Sequence, residues 1–482
     1  MRTSHAVTLA AALAVAAGSV AAVAVRLAEP PTPGRPRAGA SATASATTAT
    51  PVASGALPAA TASSVPDLLR LALRESSATP AGVAAAIDPA LRAVALGARV
   101  SATVTADDGG VRYERDAGTP MVPASTVKLL TAAATLSTLG PDARIETKVA
   151  RTGSVVGRVL RGDLVLVGGG DPTLTAARPA RYPASARVDD LARAVQELGI
   201  TRVTGRVLVD DSLFVGARTG PAWRPSYVAD GHVAPVRALE VDSGHVRPDR
   251  AARFADPGLA AGRRFAAALT LRHIVVHAGV DRGRATVPTT PVASVASPPV
   301  SVLVERMLLR SDNDLAESLG RLVALRRGQP TSFAGAAAAV TAAVGDLGVP
   351  VDAVHLVDAS GLSPLNRLTT GVLARVLRLG TDRELPALRP LLTGLSTAGF
   401  AGTLEDRFAD VGGRAGIGVV RGKTGSLNHV STLAAVVVTR SAGILIVVAA
   451  ADQVPSTDVD RAAAALDRAV ARLVACGCGA AG

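Results

Sequence analysis

The sequence predicts an α/β (α+β) fold, an antiparallel sheet covered by helices, with an additional region inserted into the chain. Three observations point to it. Near the start, a hairpin pattern leads directly into a long helical run. Near the end, three strand patterns are followed by a closing helix. Between them, from about 144 to 295, the texture changes to short strand-like pieces and turn-rich stretches. Helices on either side of a run of antiparallel strands imply a sheet with helices packed on its faces.

The N-terminus carries an export pattern. Arg2 and His5 precede an uncharged run from Ala6 to Val25, and Ala22-Val23-Ala24 offers a small-x-small cleavage site. The run also has the length that crosses a bilayer, roughly 20 residues. Residues 1–25 therefore read as a signal peptide or a membrane anchor. Residues 26–64 are rich in Pro, Ala, Ser and Thr without apolar periodicity and read as a disordered linker. Order is expected from Val65-Pro66-Asp67, where Leu68, Leu69, Leu71 and Leu73 begin a helix-like pattern.

Val100 to Thr105 alternates as a strand does. Asp107-Asp108-Gly109-Gly110 is a turn signal, and Val111 to Glu114 continues as the partner strand. Pro123-Ala124-Ser125 then introduces a run of helix formers from Thr126 to Leu139. In the inserted region, Leu164–Val167 and Arg206–Val209 read as strands. Leu191, Ala194, Val195 and Leu198 mark an amphipathic helix. From Pro298 a helical pattern runs through Ser311-Asp312-Asn313 to Leu325. Arg421 to Thr439 reads as two strands joined by a turn around Ser426–His429, and Ile444 to Ala450 as a third. A last helix follows Pro455, capped by Ser456 or Thr457, with Leu466, Val470 and Leu473 along one side. The chain thus divides into a body at 65–145 and 296–478 and an insertion at 146–295.

At 482 residues the chain has room for two or three domains. Aromatic residues make up 2% against 48% hydrophobic, so the core must be built from Ala, Val and Leu. The formal charge of +12 does not signal a nucleic-acid binder. Such a surface needs clustered Lys and Arg with stacking aromatics, and here the arginines are scattered. An anionic cell surface suits a basic exported protein better. The only cysteines, Cys476 and Cys478, form a tail pair without further metal ligands nearby. No metal or cofactor is expected.

Lysine usage is the sharpest compositional clue. The chain has three lysines, Lys128, Lys148 and Lys423, and otherwise uses arginine. Arginine stays protonated in proteins, whereas a buried lysine can become a neutral base. Two of the three lie in motifs. Ser125-x-x-Lys128 comes first, Ser311-Asp312-Asn313 second and Lys423-Thr424-Gly425 third. On a helix, residues three apart are neighbours, which sets Lys128 beside Ser125. Each motif alone is weak; Ser125 alone would read as a helix cap. Together and in this order they are the signature of serine β-lactamases and penicillin-binding proteins.

The surrounding residues narrow the resemblance. Val122 to Ala134 is similar to the active-serine region of penicillin-binding D-alanyl-D-alanine carboxypeptidases. So are Leu166–Thr173, Asp358-Ala359-Ser360-Gly361-Leu362-Ser363 with Asn366 to Thr369, and Gly402-Thr403-Leu404 with Arg407-Phe408. The chain most resembles the penicillin-binding protein 4 type, class C low-molecular-mass carboxypeptidase/endopeptidases, from about Val65 to Cys478. His429, Ala435 and Val436 depart from residues common in that family. The resemblance implies a serine β-lactamase/transpeptidase-like fold, with the inserted region accounting for the long gap between the first two motifs.

It also implies roles. Ser125 is the nucleophile, and Lys128, kept neutral by neighbouring positive charge and desolvation, takes its proton. The N–H groups of Ser125 and Ser426 form the oxyanion hole. Ser311 and Asn313 relay a proton and hold the substrate amide. Lys423 and Thr424 bind the terminal carboxylate, and Gly425 lets the substrate lie against the strand. The implied activity is a serine-type D-Ala-D-Ala carboxypeptidase, with endopeptidase action as an extension, on peptidoglycan peptides ending in D-Ala-D-Ala. β-Lactams would act as inhibitors. The protein would be exported, and it would touch membrane only through its N-terminal segment. Two other readings use the same residues, a serine β-lactamase and a non-catalytic wall-binding protein. On the sequence alone, Lys423→Arg keeps some activity and Lys128→Arg almost none.

Several features read as structural. His273 and His277 have a metal-like spacing, but Ile274-Val275-Val276 between them disfavours a helix. Asp210-Asp211 reads as turn chemistry. Trp223 and Tyr227 read as packing. Gly168-Gly169-Gly170-Asp171-Pro172 lacks the lysine of a phosphate loop and reads as a plain turn.

Overall fold

The computed structural model describes residues 78–247, 249–285, 289–439, 443–476 and 478. The export segment, the linker and the helix-like pattern at Leu68–Leu73 lie outside the described residues. The principal sheet has six strands: β1 (Val100–Ala106), β2 (Val111–Arg115), β3 (Ser396–Thr397), β4 (Arg421–Leu427), β5 (Val430–Val438) and β6 (Ile444–Ala451). Their spatial order is β3-β4-β5-β6-β1-β2, and every pairing is antiparallel. The first strand of the chain thus pairs with the last, Val100 opposite Ala451.

Strands β5 and β6 are nearly continuous in apolar residues because both of their faces are covered. Successive side chains point to opposite faces. Leu433, Ala435 and Val437 of β5 join Leu445, Val447 and Ala449 of β6 on one face. That face packs on helices α1 (Pro80–Leu91) and α9 (Val459–Ala475). Ala434, Ile446 and Val448 point the other way. They meet a core built by α2 (Lys128–Leu139), α5 (Val300–Arg310), α6 (Asn313–Arg326), α7 (Phe333–Asp346) and α8 (Thr370–Thr381).

The region between α2 and α5 has its own core around Leu164, Leu166, Val207, Val209 and Phe265. A five-stranded mixed sheet there sets Leu164–Val167 parallel to Val207–Asp210 and antiparallel to Glu146–Arg151. Helices α3 (Val188–Glu197) and α4 (Pro257–Leu271) share that core. A smaller four-stranded sheet completes the region.

Local structure departs from the sequence expectations at four places. Ser125 sits in a single 3-10 turn, Ala124–Val127, that precedes α2 rather than on its first α turn. The helical pattern of 298–325 is broken at Ser311, whose left-handed backbone (φ 55°) ends α5 before α6 begins. Helix α3 stops at Glu197, and Leu198 is exposed. Neither Ser456 nor Thr457 caps α9; a 3-10 turn over Ser456–Asp458 leads into it without a side-chain cap bond. The helix is held by tertiary contacts instead. Leu466, Val470 and Leu473 are buried. The carboxylate of Asp467, 4% exposed, accepts Arg407 Nε at 2.8 Å, Arg407 Nη2 at 2.7 Å and the Phe408 amide at 3.1 Å.

The tail pair forms a disulfide, Cys476–Cys478. The Cys478 carbonyl accepts the Thr79 amide at 2.7 Å, which ties the tail to the start of α1. Asp210 accepts Ser212 N at 3.0 Å, the turn role expected of it. Asp211 does more, since it pairs with both Arg237 and Arg282. His273 lies beyond the end of α4 and His277 beyond the strand Val275–Val276, so the two share no helical face.

Asp467→Ala leaves Arg407 and the Phe408 amide without their acceptor, and should cost about 3 kcal/mol in urea unfolding. Arg468→Ala, which removes the exposed pair to Asp410, should cost about 0.5 kcal/mol or less. Equal losses would show that Asp467 does not anchor the helix.

Candidate active site

The three motifs meet at one cleft. Ser125 is the partly exposed residue in the otherwise buried stretch Met121–Leu130. Lys128 is fully enclosed, with Nζ 3.1 Å from Ser125 Oγ, 2.6 Å from Asn313 Oδ1 and 2.6 Å from the Ser360 carbonyl. Lys423 is also fully enclosed, and its Nζ donates to Ser311 Oγ at 3.0 Å and to the Thr424 carbonyl at 2.8 Å. Lys148 is different: it pairs with Glu146 at 3.0 Å and is 58% exposed. Two of the three lysines are therefore enclosed among motif residues, and the third is a surface charge.

Electrostatics differ from the expectation at both buried lysines. Lys128 is pushed down to about 8 by burial, while Asp358, Asp312, Glu317 and Asp314 pull it back up. Desolvation, not a neighbouring positive charge, is what favours its neutral form. The like charge acts on Lys423 instead. Burial first, and then Lys128, hold Lys423 well below the usual lysine range. Among the described residues Lys423 forms no ion pair; its Nζ is held by a hydroxyl and a carbonyl.

Two glycines from distant segments close on the Ser125 turn. A Cβ on Gly361 (φ 83°) would lie 2.0 Å from the Ala124 carbonyl oxygen and 3.0 Å from Ser125 N. A Cβ on Gly425 would lie 2.1 Å from Thr432 Oγ1 and 2.6 Å from the Pro123 carbonyl oxygen. Gly425 thus lets β4 approach the Ser125 turn. The turn itself is strained. Ala124 has φ 47°, a left-handed conformation that costs a non-glycine residue on the order of 1 kcal/mol. Thr126 Oγ1 at 2.7 Å and Thr432 Oγ1 at 3.0 Å both donate to the Pro123 carbonyl and hold it there.

Ser426 is exposed on β4, on the strand that carries Lys423 to Gly425. Strand β3 pairs only with Arg421 and Gly422, so the edge of β4 beyond them is left uncovered by it. Thr424 Oγ1 donates to Thr403 Oγ1 at 2.8 Å. His429 occupies the β4–β5 turn at φ 61°, where glycine is favoured, and its Nδ1 lies 2.8 Å from the Val454 carbonyl.

The inserted region grips the second motif. Tyr182 donates its hydroxyl to Asp312 Oδ2. The His232 carbonyl accepts Asn313 Nδ2 at 2.8 Å and so turns Oδ1 toward Lys128. Asp314 accepts the Ala234 amide at 2.7 Å and pairs with Arg253 at 2.9 Å. A cleft of about 750 Å³ opens here, walled by Tyr182, His232, Arg306, Ser311 and Asn313. A larger cavity, about 840 Å³, lies around Leu139, Lys148 and Leu322 and includes none of the motif residues.

Sequence reasoning missed Ser360 and His232 as parts of the site. Both contribute a main-chain carbonyl, which any residue type supplies. Trp223 and Tyr227 are buried, as expected of packing residues, and Trp223 Nε1 also donates to Asp358 at 2.8 Å. The glycines at 168–170 do more than form a turn. A Cβ on Gly169 would lie 2.0 Å from the Glu146 carbonyl oxygen, and the following Asp171 is buried.

Comparison with known proteins gives concordant matches. The model of the D-Ala-D-Ala carboxypeptidase 3 (S13) family matches residues 83–252 and 247–473. Carboxypeptidase DacB of Mycolicibacterium smegmatis is 38% identical over 424 residues, which covers 86% of this chain and 88% of that protein. Carboxypeptidase Rv3627c of Mycobacterium tuberculosis is 38% identical over 384 residues, 77% of this chain and 80% of that one. Among solved structures, penicillin binding protein 4 (dacB) from Haemophilus influenzae superposes with a TM-score of 0.66 at 21% identity. That match covers 81% of this chain and 98% of that chain. It shows a shared fold, the serine β-lactamase/transpeptidase-like architecture expected from the motifs.

Gly361→Ala should lower the rate of acylation at Ser125 by about 10²-fold, because the loop can no longer close on the Ser125 turn. Gly348→Ala carries a similar φ of 80° with no atom within 4 Å of the new Cβ, and should leave the rate unchanged. Equal rates for the two variants would remove Gly361 from the site's construction.

Proposed function

The chain belongs to the D-Ala-D-Ala carboxypeptidase 3 (S13) family, and from that membership we propose how its own residues carry out the reaction. It is a serine-type D-Ala-D-Ala carboxypeptidase, a hydrolase of the penicillin-binding protein 4 type. The observation that carries the residue assignment is the position of Lys128 Nζ, shared between Ser125 Oγ and Asn313 Oδ1.

Neutral Lys128 takes the proton of Ser125 as Oγ attacks the carbonyl carbon of the penultimate D-Ala. The N–H groups of Ser125 and Ser426 receive the developing oxyanion. Asn313 holds the substrate amide. Ser311, whose hydroxyl faces Lys423, relays a proton to the departing D-Ala nitrogen as the C–N bond breaks: it gives up its own and regains the one Lys128 took from Ser125, which leaves Lys128 neutral. Water then attacks the acyl-Ser125 ester; Lys128, neutral again, takes a proton from it and passes that proton to the Ser125 oxygen as the ester C–O bond breaks, which restores the free serine.

Lys423 and Thr424 anchor the terminal carboxylate. That carboxylate supplies the counter-charge that Lys423 lacks in the free protein, so binding favours the protonated amine. The uncovered edge of β4 accepts the substrate backbone as an added strand. The substrates are peptidoglycan stem peptides ending in D-Ala-D-Ala, and hydrolysis of D-Ala-linked cross-links would use the same groups. A β-lactam presents its ring carbonyl to Ser125 in place of the peptide bond and leaves the acyl-enzyme. A substrate of this kind, together with the N-terminal export pattern, supports a location outside the cytoplasm, secreted or held by residues 1–25.

A fluorescent penicillin should label the wild-type protein and not Ser125→Ala, and the adduct should persist well beyond seconds. Failure to label, or equal labelling of the variant, would overturn Ser125 as nucleophile. Turnover of the adduct within seconds would identify a β-lactamase. The pH dependence tests the base. The second-order acylation rate should rise with pH through about 8, where Lys128 loses its proton, rather than near the ordinary lysine value of 10.5. A rate that is flat or falls from about pH 6 to 9 would exclude Lys128 as the base.

A further inference from the structure

Three side chains at four-residue spacing line one face of α6: Asn313, Glu317 and Arg321. Asn313 touches Lys128 directly. Glu317 and Arg321 do not, yet both are enclosed, at 0% and 1% side-chain exposure. Glu317 Oε1 accepts two main-chain amides of one loop, Ala359 N at 3.1 Å and Ser360 N at 2.9 Å. Its other oxygen accepts Arg321 Nη1 at 3.0 Å. The Arg321 guanidinium lies over the Phe333 ring, 4.0 Å from its centroid.

The loop held in this way is the one that delivers the Ser360 carbonyl to Lys128 Nζ at 2.6 Å. Contacts from other elements fix the same loop. Thr131 Oγ1 donates to the Ala359 carbonyl at 2.7 Å. Asp358 accepts the amides of Gly361 and Ser363. Gly320 lets the helix approach, since a Cβ there would lie 2.6 Å from Ala359 Cβ. Stability alone does not account for Glu317 and Arg321. Burying an ion pair costs desolvation that its attraction barely offsets, and an apolar pair of equal volume is often no less stable. What the pair does supply is direction. With both N–H groups turned to Glu317, the two peptide planes leading into Ser360 are fixed, and the next one, whose Gly361 N–H donates to Asp358 at 2.9 Å, presents the Ser360 oxygen to Lys128.

We propose that Glu317 is a positioning residue of the reaction: its carboxylate, neutralised from behind by Arg321, aims the Ser360 carbonyl at Lys128 and so orients the amine toward Ser125. The proposal rests on Lys128 being the base. Glu317 also acts through its charge. It is one of the carboxylates, with Asp358, Asp312 and Asp314, that raise Lys128 against the effect of burial, while Lys423 is the cation facing the same space. Burial and Asp358 push Glu317 itself upward, and Arg321 and Ser360 oppose them.

The test uses the full-length protein, a penicillin as acylating probe and a D-Ala-D-Ala peptide as substrate. Glu317→Gln keeps an oxygen for the two amides but loses the charge and sets an NH₂ against Arg321. The double variant Glu317→Gln with Arg321→Met removes that donor conflict and keeps the protein folded if the single variant does not fold. In both, acylation should slow by about 10²-fold. The acid limb of its pH profile should move to lower pH, because a negative charge near Lys128 is gone. KM for the peptide should stay within about twofold, since the carboxylate anchor is untouched. A pH limb that stays in place in the folded variants, or a loss confined to KM, would overturn the positioning role. Lys128→Ala separates the two ideas. If it acylates at the wild-type rate, the base assignment itself fails, whatever Glu317 does.

Discussion

One buried amine organises the site. Lys128 has no access to water and must find its hydrogen-bond partners within the protein. It finds three, from segments far apart in the chain: Ser125 on its own turn, Asn313 at the start of α6, and the Ser360 carbonyl. Two of these contacts can form only if α6 and the 358–363 loop are docked. Ser125, Asn313 and the loop are therefore assembled together. The same enclosure changes the chemistry of the lysine, because burial disfavours its charge. Fold and reactivity here share one physical cause.

The second consequence is close packing of backbone on backbone. The Ser125 turn has β4 on one side and the 358–363 loop on the other, and each approaches through a glycine. Such contacts leave no space for relaxation, so the strained backbone at Ala124 is maintained by its surroundings. Ser311 is held in a similar way. Its left-handed conformation breaks what would otherwise be one long helix, so α6 starts afresh at Asn313 with the Asp312 side chain capping it at 2.9 Å. The break turns the motif into a helix start facing Lys128 and Lys423.

The inserted region is part of this arrangement. Tyr182, His232, Ala234 and Arg253 each bond to Asp312, Asn313 or Asp314. A region with its own core thus also orients the residue that shares Lys128. Its removal would be expected to disturb Ser311-Asp312-Asn313 as well as the cleft beside it.

Much of this was legible in the chain. The alternation of Val100 to Thr105, the turn at Asp107–Gly110 and the helix formers after Ser125 are local signals, and local sterics and burial act on them directly. The ordered motifs were legible because their chemistry needs particular side chains: a hydroxyl, an amine that can lose its proton, a carboxamide. Other features depended on tertiary structure. Ser360 and His232 act through carbonyls that carry no residue signature. The hydroxyls expected to cap the last helix make no cap bond, and the helix is anchored at Asp467 by Arg407, a residue distant in sequence. The charge assignment of the two lysines could not be read from motifs either, since it follows from how completely each is buried and which charges surround it. The sequence by itself determined which groups can react. The tertiary structure decided which of them are withdrawn from water and brought within hydrogen-bonding distance, because desolvation and distance belong to the folded surroundings and not to the residue.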